Sequence, residues 1–287
     1  MKNLREFLNV RESLVKFLRE DIGSGDITSN CLIPADIHND AQIICKNNKS
    51  AVVCGLEEAG LVFDLCGCNT KTLVSDGFWV QNGTVVMTIE GKTRSILKGE
   101  RTALNLLMRM SGIASETRFI RDTIEDLTDS VTVASTRKTA PGLRYFDKKA
   151  VTIGGGNSHR IRLDDMVLIK DNHLAITGSV RKSVEIAKEK AGSLIAIECE
   201  CKKFNEVIEA ITAGADIVML DNFSPMEAAK TMKEISRMGL RKKLKIEISG
   251  GINIQNIRDY ARELPDIISV GFLTHSSQAV DFSLEII

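Results

Sequence analysis

The sequence predicts an α/β protein: an incomplete, six- to seven-stranded α/β barrel preceded by an N-terminal α+β sandwich domain. Three observations lead there. Between about residues 40 and 90 the apolar residues sit in strand-like runs broken by turn signals, whereas beyond residue 110 short apolar runs are separated by amphipathic helical stretches, the rhythm of βαβ units. Six such runs follow one another. A full eight-stranded barrel takes about 250 residues, more than the stretch from 111 to 275 supplies.

The elements are justified in order. Leu4, Leu8, Leu14, Val15 and Leu18 recur near helical spacing, so residues 1 to 30 open with a helix, followed by the turn-rich stretch from Asp21 to Thr28. Strands are expected at Ala41–Cys45, Ser50–Cys54 and Thr84–Ile89, with Asn82-Gly83 offering a tight hairpin turn after Trp79-Val80. A helix should span Ser95 to Met110, where Ile96, Leu97, Ala103, Leu104, Leu106 and Leu107 form a broad apolar face. These residues, 1–110, make the first domain, with the C-terminal segment 276–287 able to join it.

Residues 111–275 make the second domain. Its runs are Val131–Ser135, Met166–Ile169, Leu194–Ile197, Ile217–Leu220, Leu244–Ile248 and Ile267–Val270, and Ser224-Pro225 marks a helix start between the fourth and fifth. An open doubly wound sheet is the competing architecture, but no GxGxxG follows the first run, so the dinucleotide fingerprint is missing.

Composition narrows the function. The 38 Lys and Arg balance 38 Asp and Glu, and aromatics make up 5% of the chain, so neither a nucleic-acid partner nor an acidic membrane surface is expected. No uninterrupted apolar stretch suits a signal peptide or membrane span, and a cytoplasmic location is expected. Seven cysteines, odd in number and without a CxxC pair, argue against a disulfide framework or structural zinc and read as packed thiols.

The chemistry collects where each apolar run ends: Thr136-Arg137-Lys138, Lys170-Asp171-Asn172-His173, Glu198-Cys199-Glu200, Asp221-Asn222, Ser249-Gly250-Gly251 and Gly271. In α/β barrels the loops after the strand C-terminal ends form one active-site face, so these groups should converge. Between Arg137 and His173 eight Lys or Arg stand against four Asp, a local anion site on a neutral chain. Lys148 and Lys149 fit a solvated basic face better than that site. Glu198 and Glu200 share one face of their strand and Cys199 and Cys201 the other. Those carboxylates, with Asp221, suit ribose hydroxyls or magnesium, with structural pairing to Lys170 as the competing role. Ser249, Gly250, Gly251 and Gly271 suit a phosphate cradle or a pair of empty tight turns. The triplet Gly154-Gly-Gly156 reads as a mobile loop carrying His159 and Arg160, and the histidines show no metal-binding spacing.

Taken in order, Glu20–Thr28, Glu100–Leu107, Thr136-Arg-Lys-Thr-Ala-Pro-Gly-Leu-Arg144, Gly154-Gly-Gly-Asn-Ser-His-Arg160, Leu168-Ile-Lys-Asp-Asn-His173, Leu220-Asp-Asn-Phe223 and Ser249-Gly-Gly251 resemble the signature series of quinolinate phosphoribosyltransferases, the carboxylating nicotinate-nucleotide pyrophosphorylases. The resemblance implies a pentosyltransferase of NAD biosynthesis that joins quinolinate to phosphoribosyl pyrophosphate with loss of carbon dioxide, and magnesium as cofactor. It implies that Arg137, His159 and Arg160 hold the substrate carboxylates, with Lys138 and Lys170 at substrate or pyrophosphate oxygens. Glu200 and Asp221 match positions that handle ribose and magnesium, while Ser249, Gly250, Gly251, Gly271 and His275 match the 5′-phosphate cradle. Lys138, Lys170, Glu200 and Asp221 would be the catalytic set. A homodimer, alone or as a hexamer of dimers, is implied too, with Arg101 donated across the interface. A molybdenum-transport-associated homologue, a nicotinate phosphoribosyltransferase and a Schiff-base aldolase using Lys170 are the competing enzymes.

Overall fold

A computed structural model describes residues 10–287; Leu4 and Leu8 of the expected first helix lie outside the described residues. In chain order the elements are α1 (Val10–Ile22), α2 (Ile27–Leu32), β1 (His38–Cys45), β2 (Ala51–Val52), α3 (Leu56–Leu65), β3 (Asn69–Thr72), β4 (Trp79–Val80), β5 (Val85–Lys92), α4 (Thr93–Ile124) and β6 (Thr132–Ala134). Then come α5 (Arg144–Ile153), β7 (Val167–Ile169), α6 (Asp171–Thr177), α7 (Val180–Ala191), β8 (Ile197–Cys201), α8 (Phe204–Ala213) and β9 (Ile217–Asp221). The chain ends with α9 (Pro225–Arg237), β10 (Lys245–Ser249), α10 (Ile257–Ala261), β11 (Ile267–Ser269), α11 (Phe272–His275) and β12 (Phe282–Ile286).

Two compact units result. The first gathers the described residues up to Arg118, together with Ala140–Gly155 and Ser276–Ile287. Its antiparallel sheet runs β12-β1-β5-β3, so the C-terminal strand pairs along β1 from Ala41–Ile286 to Cys45–Phe282. In α1, Leu14 and Leu18 stand one turn apart and are both buried. The stretch read as turn-rich contains the start of α2, because the Asp26 carboxylate accepts the Ser29 N–H at 2.9 Å and supplies an N-cap. Gly83 does take a positive φ of 85°. However, β4 pairs with β2 rather than β5, so Asn82-Gly83 turns between two sheets instead of closing a hairpin.

Helix α4 runs 32 residues, well past the expected end at Met110, because its buried positions continue through Ile113 and Ala114. The boundary drawn from sequence at 110/111 falls inside it. Residues 140–155, read as part of the barrel domain, belong to the first unit, where two ion-pair groups hold α5. The Arg109 guanidinium grips the fully buried Asp147 carboxylate through two bonds of 2.7 and 2.8 Å, and Lys149 reaches Glu58 and Glu57 at 2.6 and 2.8 Å. Lys148 is also fully buried, so neither lysine belongs to a solvated face.

The second unit comprises Phe119–Thr139 and Gly156–His275. Six parallel strands are ordered β6-β11-β10-β9-β8-β7. The last strand therefore pairs with the first, the winding of a barrel, and among the described residues the only neighbour pairing missing is β6 with β7. Asn157 occupies the free edge of β6, donating its N–H to Val133 O at 2.8 Å and accepting the Ser135 N–H at 3.0 Å. The run count and chain length predicted an incomplete six- to seven-stranded barrel, and six strands form it. β8 begins at Ile197 rather than Leu194, since Gly192 leaves α7 at positive φ and Leu194 lies 97% exposed in the following turn. Ser224 caps α9 as expected, in a reciprocal box with Glu227.

Gly112 in α4 offers a sharp test of how the C-terminal segment packs in the first unit. A Cβ there would stand 2.1 Å from the Gln278 carbonyl oxygen. The Gly112→Ala change should lower unfolding free energy by about 1–3 kcal/mol by overpacking, against a helix-propensity gain of about 1 kcal/mol. Urea denaturation showing unchanged or higher stability would contradict that packing.

Candidate active site

Strand alternation sorts the second unit's side chains. Val133, Cys199, Cys201, Val218, Leu220, Ile246, Ile248 and Ile268 face outward into an apolar core beneath the helices. The intervening residues turn inward and line a cavity of about 430 Å³: Leu168 and Lys170 from β7 and its end, Glu200 from β8, Met219 and Asp221 from β9, Glu247 and Ser249 from β10, and Ser269 from β11. Thr136, Arg137 and Lys138 follow β6, and His159 and Arg160 enter from the segment beyond Asn157.

Eight residues singled out from the sequence thus meet in one cavity: Arg137, Lys138, His159, Arg160, Lys170, Glu200, Asp221 and Ser249. The remaining glycines and His275 stand beside it rather than lining it. Gly250 has φ 102°, and a Cβ there would lie 2.3 Å from Asn222 Oδ1 and 2.8 Å from its backbone nitrogen. Only glycine fits this close approach. Asn222 is itself in the left-handed region at φ 59°, with its N–H on Ser249 O at 2.8 Å and its amide on Asp221 Oδ2 at 2.8 Å. Gly251, at φ 63°, faces open space. A Cβ on Gly271 would meet Lys138 Cδ at 3.2 Å and His275 Nε2 at 3.4 Å, which places these three residues side by side. Arg101 lies on α4 in the first unit, largely exposed and 3.5 Å from Glu100, and is not among the residues lining this cavity.

The electrostatics of the cavity suit an anion. Arg160 is 8% exposed, and burial together with the neighbouring Arg137 charge makes its own charge less favourable than in water. Its Nε and Nη2 donate to the Arg162 and Leu163 carbonyls at 3.0 and 3.1 Å, which aims the guanidinium. The Arg137 Nε is buried without a hydrogen-bond partner. Lys170 Nζ bonds Glu200 Oε2 at 2.8 Å, the pairing weighed above as its competing role. Glu200 and Asp221, at the ends of adjacent strands, both open onto the cavity. A hard divalent cation sharing substrate oxygens needs one or two such carboxylates, so the donor set fits magnesium.

One group was missed in the sequence. Glu247 lies on β10, fully buried, with its Oε2 2.9 Å from His159 Nε2. The strict alternation Lys245-Ile-Glu-Ile-Ser249 carried the signal, for it puts Glu247 on the same face as Ser249. Glu198, beside it, is held far above the ordinary carboxylate range by burial and then by the Glu247 charge.

Comparison with known proteins shows the family. Residues 26–111 match the model of the quinolinate phosphoribosyl transferase N-terminal domain and residues 113–285 that of the C-terminal domain. A Methanocaldococcus jannaschii protein named probable nicotinate-nucleotide pyrophosphorylase (carboxylating) is 44% identical over 96% of this chain and 96% of its own length. The human nicotinate-nucleotide pyrophosphorylase (carboxylating) is 36% identical over 78% of this chain and 75% of its own. The crystal structure of NadC from Streptococcus pyogenes superposes with a TM-score of 0.89 at 34% identity, covering 97% of each chain. With both domain models matched in order across nearly the whole length, the chain belongs to the quinolinate phosphoribosyl transferase family.

Proposed function

We propose that this chain is a carboxylating nicotinate-nucleotide pyrophosphorylase, joining quinolinate to phosphoribosyl pyrophosphate and releasing pyrophosphate and carbon dioxide to leave nicotinate mononucleotide, a step of NAD synthesis. The observation that carries the reading is the convergence of Arg137, Lys138, Arg160 and Lys170 with the carboxylates Glu200 and Asp221 around one cavity. Relatives that bear this activity in their names cover most of the chain.

In this reading Arg137, His159 and Arg160 receive the two carboxylates of the pyridine, because planar guanidinium groups match carboxylates two bonds at a time. Lys138 and Lys170 take the remaining substrate and pyrophosphate oxygens. Ser249, Gly250, Gly251, Gly271 and His275 receive the 5′-phosphate. The ring nitrogen attacks the ribose C1 as pyrophosphate leaves, and Glu200 and Asp221 steady the positive charge that develops there. The C2–carboxylate bond then breaks, carbon dioxide departs, and the electron pair stays on C2 beside the quaternised nitrogen until a proton replaces the carboxyl. Magnesium, held by Glu200 and Asp221, would neutralise the pyrophosphate leaving group. Most of the protein's task is thus positioning and charge matching.

No helix among the described residues is long and apolar enough to cross a membrane. Arg101, largely exposed on α4, would act from a second copy of the chain in a homodimer.

Purified protein should release pyrophosphate and carbon dioxide only when magnesium, phosphoribosyl pyrophosphate and quinolinate are all present. Equal turnover of nicotinate without carbon dioxide would replace this reading with the nicotinate enzyme. Arg137→Ala should raise KM for quinolinate roughly ten- to a hundredfold, the loss of one charge-assisted contact, with an unchanged melting temperature; a wild-type KM would remove Arg137 from the carboxylate site. Mixing the inactive Arg101→Ala and Lys170→Ala proteins under subunit exchange should restore about a quarter of wild-type activity, the statistical yield of hybrid dimers with one intact site. Hybrids detected by mass yet inactive would place Arg101 outside the reaction.

A further inference from the structure

Two buried carboxylates, Glu247 in the cavity wall and Glu198 near it, are left without a task by the scheme above. Glu198 on β8 and Glu247 on β10 flank β9, and both are fully buried. Both oxygens of Glu198, and Oε1 of Glu247, have no hydrogen-bond partner. Buried carboxylates are kept in this state only where something else compensates.

The group that both face is His159. Its Nε2 stands 2.9 Å from Glu247 Oε2 and 3.6 Å from Glu198 Oε2. The residue reaches this position from outside the six strands. Asn157 is bonded to the free edge of β6, its Oδ1 accepts the His159 N–H at 2.6 Å, and the chain there adopts φ 51°, the left-handed region that a non-glycine residue enters only when held. Backbone and ring are therefore fixed at two ends: by Asn157 at the sheet edge and by Glu247 in the barrel interior. The 2.9 Å contact holds Nε2 against Glu247 and sets the ring's orientation, and with the carboxylate as acceptor it is Nε2 that supplies the hydrogen.

We propose that Glu247, assisted by Glu198, is the positioning residue for His159, locking its imidazole in the orientation in which it meets the pyridine dicarboxylate. This rests on the functional reading above insofar as His159 is a substrate-binding group. Glu247 lines the cavity wall, and its task is assigned through the His159 ring rather than through substrate. It acts through the ring, by fixing the imidazole's orientation. Arg160 and Lys170 add positive charge around the pair, which lets two buried carboxylates persist beside one histidine.

The wild-type protein gives the first test. Nitrogen NMR of ¹⁵N-histidine-labelled protein, with His159 assigned by loss of its signal in His159→Ala, should show Nε2 protonated; an unprotonated Nε2 overturns the proposal whether or not the enzyme is active. Kinetics give the second. Glu247→Met, which keeps the volume and removes the acceptor, should raise KM for quinolinate roughly ten- to a hundredfold, the range seen when a ring-orienting partner is lost at metal-bound histidines, and leave KM for phosphoribosyl pyrophosphate unchanged. Glu247→Gln, whose amide oxygen still accepts, should stay within about threefold of wild type. In a His159→Ala background, Glu247→Met should add less than about twofold. Multiplying losses, or a Gln variant as impaired as Met, would refute the role, and if Glu247→Met does not fold, the Gln variant and the ring spectrum decide. The three ligand atoms also lie within 4.8 Å of one another, so a stoichiometric metal in the purified protein that disappears in Glu247→Gln would overturn positioning in favour of coordination.

Discussion

Everything in the second unit depends on the two-residue period of its parallel strands. Because successive side chains leave opposite faces, Ile246 and Ile248 enter the apolar core while Glu247 and Ser249 enter the cavity. The same separation puts Cys199 and Cys201 outward and Glu198 and Glu200 inward on β8. Since all six strands run in parallel, their C-terminal ends open at one mouth. A one-residue slip in β8, β9 or β10 would exchange a core residue for a charge, so register and cavity lining are specified by the same pattern.

That arrangement makes the barrel interior unusually polar. A packed barrel of this class fills its centre with layers of branched apolar residues, whereas here Glu198, Glu247, His159 and Ser269 share it with Met219 and Leu168. Burying charges is unfavourable unless they are matched, and the matching is visible: His159 beside two glutamates, Lys170 on Glu200, and Arg160 on two carbonyls. The outer apolar layer between sheet and helices supplies the cohesion that this centre does not.

Much of this was legible in the sequence, and what was not has physical causes. Strand ends betray themselves because a polar residue after an apolar run has few places to go in a barrel, which is how Arg137, Lys138, Lys170, Glu200, Asp221 and Ser249 could be picked out together. Glu247 escaped notice because it lies inside its apolar run rather than after it, and a charge within a strand reads as solvent-facing until the strand's inner face is known to be wet. Lys148 and Lys149 were misjudged for a related reason: a lysine's charge says nothing of the buried acids, Glu58 among them, that its neighbours in space provide. The wrong hairpin at Asn82-Gly83 shows that a turn signal fixes local backbone but not which strand the chain pairs with next.

The missing pairing between β6 and β7 is the price of having six strands, and it is also what admits the basic segment. A closed barrel of hydrogen-bonded strands would offer no lateral entry to its interior. Here Asn157 covers the free edge of β6 with only two backbone bonds, and the chain then turns inward through the left-handed His159. His159 and Arg160 consequently border both the active-site cavity and a second one of about 460 Å³ at the opposite end, where Thr132, Ile217, Lys245 and Ile267 begin or adjoin the strands. Side chains so placed have no strand backbone of their own to orient them. Their aim comes from side-chain and carbonyl partners instead: the Arg162 and Leu163 carbonyls for Arg160 and Glu247 for His159.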